Sequence, residues 1–173
     1  MPRVPFDTLP DDARLWIFGA ERTLDARERT ELLSAVDGFL ESWKAHGSPL
    51  TAARHLEQDR FLMVAVDQAS MPPSGCSIDA MVNVLAELER QLGLSLVGHG
   101  WVYWRDRSGE VRRADRGGFK RLVEAGEVDG DTPVFDTTLT RLGGVRAGEW
   151  ERPARASWHG RTFLRPAGRP LIR

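Results

Sequence analysis

Phe61-Leu-Met-Val-Ala-Val66 decides the fold. It is apolar on both faces of an extended chain, so it reads as a strand buried on both sides at the centre of a sheet. Working outward, Leu50 to Leu56 alternates weakly before it and reads as an edge strand. Ala69 to Gly75, with two prolines, reads as a loop after it. Ile78, Met81, Val82, Leu85, Leu88 and Leu92 then recur at helical spacing, and Gly93 closes that helix.

Further upstream, Arg14 to Ala20 alternates Leu15 and Ile17 against Trp16 and Phe18, the pattern of a strand. Asp25 with Glu28 three residues later makes a capping-box-like helix start. Leu32, Val36, Phe39 or Leu40, and Trp43 follow as one face of a helix that runs to about His46, where Gly47 and Pro49 stop it. Downstream, Leu94 to Trp104 reads as a strand, Arg107 to Glu110 as a turn, and Val111 as part of a short return. The order is β-α-β-β-α-β, which predicts an α+β protein with a ferredoxin-like core over residues 14–113. Residues 1–13 form a lead-in. Residues 114–164 form a C-terminal extension with a short helix at Phe119 to Ala125, a short strand at Thr132 to Phe135 and otherwise irregular chain. Trp150, Trp158 and Phe163 predict that this extension packs on the ferredoxin-like core, and residues 165–173 read as a mobile basic tail.

The chain has 173 residues, 41% hydrophobic and 28% charged, the composition of a folded protein of one domain. With one cysteine, Cys76, it forms no internal disulfide. No run approaches the ~18 apolar residues of a membrane span, and the first residues lack the apolar stretch of a signal peptide. The expectation is a cytoplasmic protein that does not enter a membrane. The net charge of -1 hides an asymmetry: residues 1–100 carry 9 basic and 15 acidic groups, and residues 101–173 carry 15 and 10. Arg152, Arg155, Arg161 and Arg165 make the C-terminal part a candidate nucleic-acid face. A solvated tail folded on its own acidic half is the competing reading.

Chemistry concentrates where the central strand joins the second helix. Ser74, Cys76 or Ser77 could each supply the N-cap, and Gly75 offers backbone freedom. Unpaired amides at a helix start attract anions and ease ionisation of a thiol. Cys76 is therefore a candidate nucleophile, with His159 of Ser157-Trp-His159 as its base; His46, His55 and His99 are weaker choices. Asp67, Ser74, Gly75, Ser77 and Asp79 would line a ligand-binding cleft there. The competing reading makes Cys76 a small buried core residue. Trp101, Tyr103 and Trp104 on one strand could stack bases or serve as core. There is no P-loop, no second cysteine for a zinc or redox pair, and no H-E-x-x-H, so neither a metal nor a cofactor is expected.

Leu15-Trp-Ile17, Phe39-Leu-Glu-Ser-Trp43 with Ala45-His-Gly47, Arg60-Phe61, Val66-Asp67, Ser74-Gly-Cys-Ser-Ile-Asp79 and Ser157-Trp-His159 resemble an uncharacterised bacterial family. Its members are common in Bacteroidetes and are often labelled "ABC transporter ATPase". The resemblance runs from about Val4 to Phe163 and implies no particular activity, cofactor or site residue. The residues do not carry that label, because a Walker A lysine is lacking. Three functions stand: a module binding a small molecule or anion at the start of the second helix, a thiol enzyme using Cys76 and His159, and an RNA- or ribosome-associated protein using the arginines.

Overall fold

A computed structural model describes residues 3–164. Its elements in chain order are β1 (Arg14–Gly19), α1 (Ala26–Ser42), β2 (Lys44–Ala45), β3 (Ser48–Pro49), β4 (Ala52–Glu57), β5 (Phe61–Val66) and α2 (Gly75–Leu92). They continue with β6 (Trp101–Arg105), β7 (Val111–Asp115), α3 (Arg116–Glu124), β8 (Pro133–Phe135), α4 (Leu142–Arg146), β9 (Glu151–Pro153) and α5 (Trp158–Phe163). The protein is α+β, and its paired strands are antiparallel. It divides into two units, residues 1–98 with 137–147, and residues 99–136 with 148–173. The basic tail expected at 165–173 lies outside the described residues.

In the first unit β5 is central, with sheet order β1-β5-β4, and all six of its residues are buried. Val64 sits opposite Trp16 on one side and Arg54 on the other. Leu62, Val64 and Val66 share a core with Leu32, Val36 and Leu40 of α1 and Met81, Leu85 and Leu88 of α2. Asp25 caps α1 as expected: its carboxylate accepts the Glu28 N–H at 2.8 Å, and Glu28 accepts the Asp25 N–H at 2.9 Å. The Arg22 guanidinium and that amide hold the Glu28 carboxyl down to about 2. The buried Arg60 ties β5 to the end of β1 by donating to the Ala20 and Glu21 carbonyls at 3.0 and 2.7 Å. The outer edge of β4 is covered by the chain's own beginning: Arg3 bridges Ala52, and the Phe6 ring lies 5.3 Å from His55. Covering an edge removes a site for uncontrolled strand pairing.

Two expectations change here. The first helix ends at Ser42 rather than His46, because residues 44–49 form a hairpin. His46 and Gly47 turn it with φ of 51° and 80°, the left-handed pair a two-residue hairpin loop requires. Trp43 anchors the helix end by donating its indole N–H to the Ser77 carbonyl at 2.8 Å. The second change is larger: Trp101–Arg105 is not the fourth strand of this sheet. Residues 94–100 are irregular, with Glu89 accepting the Leu96 and Val97 N–H groups at 2.7 and 2.8 Å. β6 instead finds local partners, β7 across a tight turn and β8 beyond α3. The expected four-stranded ferredoxin-like sheet is therefore not formed, and this sheet has three strands.

In the second unit the order is β7-β6-β8-β9. Phe119 of α3 packs 5.4 Å from the Trp104 ring and 5.0 Å from Phe163. The stretch expected to be irregular holds β9 and α5 here, and α4 in the first unit. The large apolar residues of the extension are packed within this second unit: Trp150 is 8% exposed beside Phe135, and Trp158 and Phe163 pack around Phe119. Gly160 makes this possible, since a β-carbon there would meet the Ala154 carbonyl oxygen at 2.5 Å.

Ending the chain after Arg146 removes β9 and α5, and with them the buried Trp150 and the partly buried Trp158 and Phe163; full burial of one such side chain is worth about 1.5–3 kcal/mol. The melting temperature should fall by several degrees. A melting curve like that of the full chain would contradict this packing.

Candidate functional site

Ser74 is the N-cap of α2, and Gly75 and Cys76 are its first two residues. Ser74 Oγ accepts the Ser77 N–H at 3.2 Å, and Ser77 Oγ accepts the Ser74 N–H at 2.8 Å. Ser77 is buried, and its hydroxyl and carbonyl serve the cap and Trp43. Gly75 is exposed and outside the left-handed region, with open space around a β-carbon, so nothing in its geometry demands glycine. Asp79 is exposed and lies beyond the first turn. Asp67 follows β5 and braces its own turn, accepting the Ala69 N–H at 2.9 Å.

Cys76 is exposed, which removes the core-residue reading. His159 is 1% exposed in the second unit. Its Nδ1 shares a hydrogen bond with Ser157 Oγ at 2.8 Å, and its ring stacks on Trp158 at 3.9 Å. Trp158 in turn donates its indole N–H to the buried Asp136 at 3.1 Å. Burial, reinforced by Arg116 and Arg152 and opposed by Asp136, pushes the His159 imidazolium down to about 4. The Ser157-Trp-His159 segment is thus a packed corner whose polar groups satisfy one another. His46 turns a hairpin, His55 meets Glu57 at 3.0 Å, and His99 is exposed. No described hydrogen bond joins Cys76 to any of the four histidines.

The aromatics of β6 are core rather than a stacking platform. Tyr103 and Trp104 are buried, and the Arg113 guanidinium covers Trp101 at 3.8 Å. The arginines are dispersed as well. Arg152 is half-buried on β9, Arg155 binds the Gly130 carbonyl and pairs with Asp131, and Arg161 is exposed on α5. Arg165 lies outside the described residues. Residues 99–136 and 148–164 together carry ten basic and ten acidic side chains, so the basic surplus of the sequence is not a surplus in this part.

The second unit holds a cleft of about 710 Å³. Trp104, Leu122, Val128 and Pro133 form its apolar wall. One polar rim is the β6–β7 turn, where Asp106 accepts the Ser108 and Glu110 N–H groups at 2.9 and 3.0 Å and the Ser108 hydroxyl at 2.6 Å. Those donors and Arg112 at 2.7 Å hold the Asp106 carboxyl far below the usual carboxylate range. The other rim is the turn before β8. There Asp129 accepts the Asp131 and Thr132 N–H groups at 2.8 and 3.1 Å, and Thr132 Oγ1 accepts the Asp129 N–H at 3.0 Å. Both turns are fixed by their own side chains, so the cleft is held open before anything binds.

None of Asp67, Ser74, Gly75, Cys76, Ser77, Asp79 or His159 lines this cleft, and sequence reading missed the residues that do. Their signal was the pair of turn sequences Asp106-Arg-Ser-Gly109 and Asp129-Gly-Asp-Thr132. Among the described residues no group of three acidic, histidine or cysteine side chains is placed to hold a metal ion. No helix among them is long and apolar enough to cross a membrane. The chain matches no protein-family model, no curated protein and no solved structure.

His159 makes the stability of the second unit depend on pH. Its folded-state value lies below the ordinary 6.5, so the folded form binds fewer protons than the unfolded form. The contribution is complete above pH 6.5 and is lost as pH falls toward 4, roughly 3 kcal/mol in all. Urea midpoints measured between pH 4 and 7 should fall more steeply for the natural chain than for His159→Gln. Parallel profiles would contradict this assignment.

Proposed function

We propose that the protein is a small-molecule-binding module and that its ligand seats in the cleft of the second unit. The supporting observation is the cleft itself. Its volume lies within the roughly 300–1,000 Å³ of ligand sites, and an apolar wall faces a few fixed polar groups. A binding site gains from such preorganisation because less freedom is lost when the ligand arrives. The start of α2 is a lesser anion site on this reading, with Gly75 and Cys76 exposed in its first turn. The three strands β1, β5 and β4, with both helices, support reading the first unit as a ferredoxin-like sheet without its fourth strand.

The thiol-enzyme reading rests on the exposure of Cys76, which makes its sulfur reachable. The burial of His159 and its bond to Ser157 count against their partnership, because a general base must reach the proton it removes. The exposed lone thiol suits a reducing compartment and supports the cytoplasm. Nucleic-acid binding through Arg152, Arg155 and Arg161 draws little support from the balanced charge of the described residues.

A small-molecule collection screened by ligand-observed NMR should yield binders that move the amide resonances of Ser108, Asp129 and Asp131. Leu122→Trp, which fills the apolar wall, should abolish their binding. Binders that move only residues 74–79, or none that reach the cleft, would overturn the reading. Iodoacetamide should label Cys76 in the folded protein at a rate that His159→Gln leaves unchanged. Cys76→Ser should alter stability by less than about 0.5 kcal/mol.

A further inference from the structure

The charged side chains around the cleft are almost all spoken for. Arg105 pairs with Glu151 at 2.6 Å and donates to the Gly109 carbonyl at 2.8 Å. Arg112 holds Asp106 at 2.7 Å and Glu110 at 2.9 Å. Asp131 pairs with Arg155, and Asp129 is taken up by backbone amides of its own turn. Two charges of opposite sign remain. Arg107 has one contact, to the Gly126 carbonyl at 3.5 Å, the outer limit of a hydrogen bond. Glu127, next in the chain to that carbonyl, has no described side-chain partner and forms no ion pair with Arg107. Both line the cleft beside the Trp104, Leu122 and Val128 wall, with the Arg107 guanidinium reaching the carbonyl of Gly126, the residue before Glu127.

The geometry points to a zwitterion with an apolar body, an α-amino acid with an aliphatic or aromatic side chain, as the ligand class; this rests on the cleft being a ligand site. The ligand carboxylate pairs with the Arg107 guanidinium, whose planar fork suits two oxygens. The ligand ammonium pairs with the Glu127 carboxylate. The side chain lies on the apolar wall, where burial supplies affinity and cleft size sets the upper limit on its volume. A ligand bearing one charge forms only one of these two ion pairs, so the cleft favours the zwitterion over simple carboxylates and simple amines. This is selection by the number of charge pairs rather than by shape.

The test is calorimetric titration of the full chain with three probes of one carbon skeleton: L-leucine, 4-methylpentanoate, which lacks the ammonium, and 3-methylbutylamine, which lacks the carboxylate. L-Phenylalanine extends the series to an aromatic body. L-Leucine or L-phenylalanine should bind, and each single-charge analogue should bind about tenfold more weakly or less. Arg107→Gln and Glu127→Gln should each cost a similar factor, and both residues are exposed, so the variants should keep the melting temperature of the natural chain. Equal binding of the amine or the carboxylate, unchanged leucine affinity in either variant, or no binding of either amino acid would overturn the assignment. If neither amino acid binds but cleft-directed binders of another class appear in the NMR screen, the site stands and its zwitterion selectivity falls; if neither amino acid binds and no other cleft-directed binder appears, both fall.

Discussion

Burying a strand on both faces forces the rest of the first unit into place. With every residue of β5 shielded from water, each of its backbone N–H and C=O groups needs a partner supplied by the chain. β1 and β4 meet that requirement along all six residues, one on each side. The apolar alternation Leu62, Val64, Val66 then sets where α1 and α2 lie, because their own stripes have no other surface of that size to cover. Even the polar details follow. Arg60, just before the buried strand, satisfies with its guanidinium the carbonyl of the buried Ala20 and that of Glu21 beside it.

Much of this was legible in the sequence, because periodicity and capping are local. The run from Phe61, the Asp25–Glu28 box and the Gly93 stop each depend on residues within a few positions, and each stands where it was expected. Strand partnership is not local. Trp101–Arg105 looks the same whether it closes one sheet or opens another, and the choice was made by a tight turn at Asp106–Gly109 and by Glu89 gripping the preceding chain. Three-residue strands such as β8 and β9 carry too few side chains to show an alternation at all.

The candidate site divides along the same line. Cys76 stands at the helix start where the sequence put it, and Ser74 proved to be the cap among three choices. The environment of a side chain is a property of three dimensions, however. The histidine of Ser157-Trp-His159 looked available for catalysis in one dimension and is enclosed by Trp158, Phe119 and Ser157 in three. The cleft was missed because its walls come from β6, α3 and the turn before β8, and no single stretch of sequence displays more than one of them.

The path of the chain between the two units bears on how such a protein is inherited. The chain leaves the first unit at Gly98, returns to it at Thr137–Ala147, where the Thr140 carbonyl accepts the Leu15 N–H at 2.9 Å, and leaves again to supply β9. Neither unit is therefore a continuous stretch of sequence, and a single recombination event cannot move one of them intact into another gene. The units are bound to be lost or kept together, so their sequences diverge as one lineage. On the ribosome the same path means that β1 lacks its contact with Thr140 until well over a hundred further residues have been made.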